Sequence, residues 1–137
     1  MQTPPEDSLL EALARFPAVR LAVLFGSTAR GRTTPRSDLD LGVLLEPEAA
    51  TTLWEVEGAV GEAARRPVDL IDLRRAPPLL RFEIARDGRV LLERQEGDWK
   101  RFKVRALLDW WDWAPTARSL HRLAVQRLRQ RVHHGSA

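Results

Sequence analysis

The sequence contains no cysteine among its 137 residues, which excludes disulfide bridges, a catalytic thiol and cysteine-ligated zinc or iron–sulfur centres. No apolar run approaches the roughly 20 residues that span a bilayer. The first residues lack the basic and apolar regions of a signal peptide. We therefore expect a cytoplasmic protein without a membrane segment.

The length suits one compact domain, or a small core with an added helical segment. Apolar residues make up 44% of the chain and charged residues 30%, as in ordinary soluble proteins. The charge is uneven, because residues 1–97 carry a net charge of −3 and residues 98–137 carry +6. A basic C-terminal segment can bind an acidic protein or nucleic acid, although solvated helix faces have the same composition.

The periodicity of apolar residues predicts alternating helices and strands over the first part of the chain. Strands are expected at residues 19–25, 39–45, 68–73 and 90–92. A first helix, capped by either Asp7 or Ser8, is expected to carry apolar residues from Leu9 to Phe16. Further helices are expected from Pro47 to about Arg66 and from Pro77 to Ala85. We predict an α/β (α+β) fold in which helices flank a small mixed sheet of three to four strands.

The remaining residues, 98–137, are predicted to form a helical extension of a core at residues 1–97. One helix should end at Ala114, and Pro115 should separate it from a second helix that reaches Val132. The extension is rich in tryptophan. Around a helix, Trp110, Trp111 and Trp113 lie at about 0°, 100° and 300°. They cannot share one narrow face, so they meet a second surface or pack at several points within the chain.

Two aspartates, Asp38 and Asp40, lie one residue apart at the start of the second predicted strand. Strand alternation places both carboxylates on one side, about 6.7 Å apart along the backbone. Neighbouring anions repel unless a cation neutralises them, and carboxylate oxygens suit magnesium. An Asp-x-Asp pair alone is weak evidence, because surface strands also carry such pairs by chance.

The residues before this pair strengthen the interpretation as a nucleotide and metal site. Gly26 permits close backbone approach to a ligand, and Ser27 begins a short helical turn whose free amides attract phosphate. Arg30 adds a fixed positive charge. If the first two strands are antiparallel, Ser27 lies close to Asp38 and Asp40. The combination indicates a polyphosphate ligand beside a metal site.

A further carboxylate is expected from the third strand, which offers Asp69 and Asp72. The interval after Asp40 is long enough for a helical crossover, which would make the second and third strands parallel and align their starts. Asp69 lies at that start, whereas Asp72 points to the opposite face. We therefore predict Asp69 as the third carboxylate.

These residues resemble the minimal nucleotidyltransferases of the DNA polymerase β-like superfamily. The resemblance covers roughly residues 8–92 and rests on Gly26-Ser27, Ala29-Arg30-Gly31, Ser37-Asp38, Asp40 and Val68-Asp69-Leu70. It implies a nucleotidyltransferase fold for the core. It also implies that the nucleoside triphosphate is bound by Gly26, Ser27, Arg30 and Ser37, and that two Mg²⁺ ions are bound by Asp38, Asp40 and Asp69. Asp69 would complete the triad and help to activate the attacking hydroxyl.

Most short members of this family resemble antitoxins that silence a HEPN-domain toxin by transferring AMP from ATP to a toxin tyrosine. The resemblance therefore implies a HEPN-domain toxin as the partner. Because this chain has no tyrosine, transfer to tyrosine must modify another molecule. Serine, threonine and small-molecule hydroxyls remain open as acceptors. The C-terminal extension is the candidate docking surface, and homo- and hetero-oligomers through its helices both stay open.

Two alternatives to an active enzyme are considered. In the first, the fold is a catalytically vestigial binding module that neutralises its partner by occlusion, although three intact carboxylates oppose this. In the second, the basic extension binds nucleic acid, which we do not expect but which steep salt dependence would reveal.

Overall fold

The computed structural model describes residues 4–26 and 39–135. In chain order the described elements are α1 (Pro4–Ala14), β1 (Val19–Phe25), β2 (Leu39–Leu45), α2 (Leu53–Ala64), β3 (Val68–Asp72), α3 (Pro78–Asp87), β4 (Arg89–Glu93) and α4 (Asp98–Gly135). The four described strands form a sheet in the order β3-β2-β1-β4. β1 is antiparallel to β2 and β4, whereas β2 and β3 are parallel. The predicted mixed sheet with flanking helices is confirmed.

Helices cover both faces of the sheet, because the central strands are apolar on both sides. On one face α1 and α2 pack against alternate strand residues, including Leu24, Leu41 and Val43. On the other face α3 and the first turns of α4 pack against Val23 and Phe25, among others. Strand alternation therefore determines which polar residues of β2 and β3 lie on the face of the sheet that α3 covers.

Helix α2 begins at Leu53, so the prediction that it starts at Pro47 is wrong. The side chain of Thr52 accepts a hydrogen bond from the backbone N–H of Glu55 at 3.2 Å and caps the helix. This N-cap satisfies a free amide of the first turn, which Pro47 has no side-chain oxygen to do. At the other end Arg65 adopts a left-handed conformation with φ of 56°, one residue before the predicted end.

Helix α4 is continuous through Pro115, so the predicted break at that residue is also wrong. Proline removes one backbone donor and crowds the carbonyl four residues earlier, here that of Trp111. Trp111 is 66% exposed, so water can hydrate the released carbonyl. Packing holds the preceding turns, since Trp110 stacks on Phe82 at 5.0 Å between ring centroids and Ala114 is buried. Trp110 and Trp111 thus face different surroundings, one packed on Phe82 and the other exposed, as their angles around the helix predict.

An ion-pair cluster around the buried carboxylate of Asp98 attaches the start of α4 to the sheet. Asp98 is 4% exposed, and its carboxylate accepts hydrogen bonds from Arg20 at 2.8 Å and from Arg101 at 2.7 Å. Arg20 also donates to Gln95. Burial raises the pKa of Asp98, but the hydrogen bonds and charges of Arg101 and Arg20 outweigh it and leave the pKa below its ordinary value. This cluster positions α4 on β1.

Asp98→Asn should lower the free energy of unfolding by about 2 kcal/mol, because the three charge-assisted hydrogen bonds that the buried carboxylate accepts from Arg20 and Arg101 are weakened. The folded-state pKa lies below the ordinary 3.8, so the ionised pair stabilises the fold above that pH. Its contribution declines as the pH falls through the folded-state pKa. Urea unfolding of both proteins at neutral and acidic pH should show a difference that shrinks on acidification. A difference independent of pH would contradict the assignment.

In the part of the chain that the structure describes, no helix has the length and apolar character needed to cross a membrane. The division between a core at residues 1–97 and an extension at residues 98–137 stays a prediction.

Candidate nucleotide and metal site

Two predicted carboxylates lie side by side at the starts of parallel strands. The register pairs Asp40 of β2 with Asp69 of β3. Neighbouring strands lie about 4.8 Å apart, and paired residues present their side chains on the same face of a sheet. That face is the α3 side, because Gly42, two residues after Asp40, lies against Leu73. The sheet thus brings together carboxylates that are 29 residues apart in sequence.

The competing carboxylate, Asp72, has a different neighbourhood. It pairs in register with Val43, and the alternation of β3 directs it to the opposite face from Asp69. Its side chain accepts a hydrogen bond from the backbone N–H of Arg74 at 2.9 Å and lies 3.9 Å from the guanidinium of Arg75. Asp72 therefore stabilises the turn after β3, and the geometry favours Asp69 as the partner of Asp40.

Gly26, at the end of β1, lies against the carboxylate of Asp40. Its φ is +68°, a conformation that favours glycine, and a Cβ built on it would lie 2.6 Å from Oδ2 of Asp40. The register supports this contact, since Phe25 pairs with Asp40 across the antiparallel strands. Only a glycine allows the backbone to approach Asp40 this closely, so the predicted phosphate-binding glycine and metal-binding aspartate are neighbours.

Four other predicted site residues lie outside the described residues: Ser27, Arg30, Ser37 and Asp38. Within the ranges 4–26 and 39–135, no group of three metal-ligating side chains occurs. The described pair nevertheless fits a hard divalent cation, because Asp40 and Asp69 present carboxylate oxygens from adjacent strands. The roles of the predicted site residues stay predictions.

A cavity of about 190 Å³ lies against Gly26, between the end of β1 and α3. Its lining combines Phe25 and Gly26 with α3 residues Leu80, Glu83, Arg86 and Asp87. Arg86 donates to Asp87 at 2.8 Å, and this hydrogen bond raises the pKa of Arg86. The sequence interpretation missed these α3 side chains. The Asp87-Gly88 turn in the sequence could have indicated them. It connects α3 to β4, and the pairing of β4 with β1 places the end of α3 beside the end of β1.

The sequence profile of the family described as Polymerase beta, Nucleotidyltransferase matches residues 7–97. The chain therefore belongs to this family, and it is a nucleotidyltransferase. The resemblance drawn from the residues of the site is confirmed.

Two relatives are each called Protein adenylyltransferase MntA. The one from Aphanizomenon flos-aquae is 30% identical over 110 residues, which cover 72% of this chain and 73% of the relative. The one from Shewanella oneidensis is 34% identical over 104 residues, which cover 72% of each chain. The matched segments thus make up most of both relatives.

Solved structures of toxin–antitoxin complexes share the fold. A chain of a toxin–antitoxin crystal structure with AMP-PNP superposes with a TM-score of 0.76 at 24% identity, covering 88% of this chain and 98% of its own. A chain from a tri-AMPylated Shewanella oneidensis HEPN toxin in complex with MNT antitoxin gives a TM-score of 0.72 at 23% identity, covering 91% and 99%. At these identities the likeness establishes the fold.

Proposed function

We propose that this protein is a Mg²⁺-dependent protein adenylyltransferase and an antitoxin. It transfers AMP from ATP to a tyrosine hydroxyl of a partner HEPN toxin and thereby silences it. The observation that carries the proposal is the contact of Gly26 with Asp40 and the pairing of Asp40 with Asp69, in a chain of the nucleotidyltransferase family. The absence of cysteine is consistent with action in the cytoplasm.

Each proposed role follows from residue chemistry. Gly26, Ser27, Arg30 and Ser37 bind and orient the triphosphate, because backbone amides, hydroxyls and a guanidinium complement phosphate oxygens. Asp38, Asp40 and Asp69 would hold two Mg²⁺ ions, which when bound acidify the attacking hydroxyl and offset charge at the α-phosphorus. Asp69 lies on β3, one of the two edge strands of the described sheet, and in this proposal it helps to activate the acceptor hydroxyl.

The substrate assignments have separate support. The related structure with AMP-PNP supports ATP, and both relatives are called protein adenylyltransferases. The tri-AMPylated HEPN toxin in another related structure supports a HEPN toxin as the acceptor. The lack of tyrosine in this chain requires that a tyrosine acceptor belong to another molecule.

The proposal is tested by incubating the protein with the product of the adjacent gene, which the proposal expects to be a HEPN toxin, and with Mg²⁺ and each of the four nucleoside triphosphates. Mass spectrometry should find AMP adducts on tyrosine of the HEPN protein with ATP, and none after chelation of the metal. Adducts on serine or threonine would correct the acceptor. No adduct with any nucleotide would overturn the enzymatic proposal.

A further inference from the structure

The C-terminal half of α4 carries an apolar surface that packs against no other described element. The whole helix has 38 residues and is about 57 Å long at 1.5 Å per residue. Its attachment to the core ends near Ala114, which is 5% exposed. Beyond that point Leu120, Leu123 and Leu128 are 58%, 51% and 60% exposed. Three exposed leucines on one helix form an interaction surface that residues 4–26 and 39–135 do not cover.

These leucines belong to one side of the helix. The spacings from Leu120 to Leu123, Ala124 and Leu128 are three, four and eight residues, the pattern of an amphipathic stripe. We call these four residues the distal stripe. Arg127 lies within it, because it follows Leu120 by seven residues and is displaced by only about 20° around the helix. The stripe is therefore apolar with one embedded positive charge.

The charge around the distal stripe is of one sign. No acidic residue follows Asp112, whereas the segment contains Arg118, Arg122, Arg127, Arg129 and Arg131. In the part of the chain that the structure describes, the ion pairs of α4 end at Asp109. Pairing of two such helices from two copies would bring arginines together at every turn. The surface therefore disfavours self-association and requires a partner that supplies carboxylates.

The leucines distinguish a protein partner from the other polyanions. Nucleic acid offers phosphates to the arginines but gives no apolar surface for three leucines. A lipid surface would accept the leucines, but it would have to accommodate Arg127 within the inserted face. A protein surface can place a carboxylate opposite Arg127 and apolar side chains around it.

We propose that the distal stripe is the docking site for an apolar surface of the partner protein that carries acidic residues, one of them opposite Arg127. The inference rests on the proposed function, in which the partner is a HEPN toxin. In this inference α4 binds the partner protein, and the candidate site on β2 and β3 transfers the AMP. The stripe holds the two proteins together while the acceptor hydroxyl reaches Asp69.

A matched pair of charge reversals tests the embedded charge. Arg127→Glu places an anion within the distal stripe, whereas Arg129→Glu makes the same change about 160° away around the helix. The affinity of each variant for the partner HEPN toxin of the proposed function is measured by titration calorimetry. We expect Arg127→Glu to weaken binding by at least about 30-fold and Arg129→Glu by less than about threefold. Equal losses would indicate unspecific attraction and overturn the proposal.

A second variant tests the apolar contact. Leu120→Gln with Leu128→Gln keeps good helix formers and the net charge, and circular dichroism should show unchanged helix content. Binding to the HEPN protein should weaken by at least about 30-fold. Unchanged binding would overturn the docking site, as would dimerisation of the wild-type chain in sedimentation that this variant loses. Equally tight binding to RNA or to phosphatidylserine vesicles, lost in this variant, would assign the stripe to those ligands and overturn the proposal.

Transfer assays separate failure of this inference from failure of the proposed function. If the stripe variants bind weakly and the wild-type protein transfers no AMP, docking is supported and the enzymatic proposal fails. If every variant binds and transfers like the wild type, the enzyme stands and the docking site is wrong. When both proposals hold, the variants need more HEPN protein for half-maximal transfer but reach the wild-type rate at saturation.

Discussion

Asp69→Asn is expected to lower the rate of AMP transfer to the HEPN protein by at least about 1,000-fold while the protein remains folded. The substitution preserves the size of the side chain but removes its negative charge. That charge, together with the carboxylate of Asp40 on the neighbouring strand, forms the candidate metal site. Asp69 is exposed, so its loss removes no core contact. Transfer is measured with labelled ATP, and folding is measured by thermal unfolding.

Asp72→Asn is the matched control for this prediction. Asp72 lies on the same strand but on the opposite face, where it accepts a hydrogen bond from Arg74, and an asparagine oxygen can accept the same bond. Transfer should stay within about threefold of wild type. A reversed result, with Asp72→Asn inactive and Asp69→Asn active, would contradict the assignment. If inactive Asp69→Asn still neutralises the toxin fully, the protein acts by occlusion.

The pairing of Asp40 with Asp69 could be predicted because it depends on local periodicity and on connection length. Alternation along a strand sets the face of each carboxylate, and the residues between β2 and β3 suffice for a helical crossover. The parallel register then follows, and the structure places the two aspartates opposite each other. Predictions for Ser27, Arg30, Ser37 and Asp38 lie outside the described residues.

Features that depend on tertiary contacts could not be predicted in the same way. Pro115 resembles a helix break in sequence, but packing of Trp110 on Phe82 holds the preceding turn and exposure of Trp111 permits hydration of its carbonyl. The α3 side chains beside Gly26 come close to it only through the pairing of β4 with β1. Local propensity carries no information on such contacts, because the partner segments are far apart in sequence.

Gly26→Ala should reduce the rate of AMP transfer by about 100-fold, because the site cannot keep its geometry around an added methyl group. The φ of +68° is strained for alanine, and its Cβ would lie 2.6 Å from Oδ2 of Asp40. The Asp40 carboxylate must move, which displaces the predicted metal ligand and disturbs the backbone that is predicted to bind phosphate. The free energy of unfolding should fall by about 1–2 kcal/mol. Labelled-ATP transfer and urea unfolding measure the two effects.

Gly58→Ala controls for the general effect of a methyl group on a glycine. Gly58 lies within α2, and a Cβ at this position would meet no atom within 4 Å. Alanine has the higher helix propensity, so this variant should gain about 1 kcal/mol of stability and retain wild-type transfer. Since the two substitutions add the same group, a large loss of transfer in Gly26→Ala alone would depend on the positive φ and the contact with Asp40 at that position. Wild-type transfer by Gly26→Ala would show that the close approach of backbone and carboxylate is not needed for catalysis.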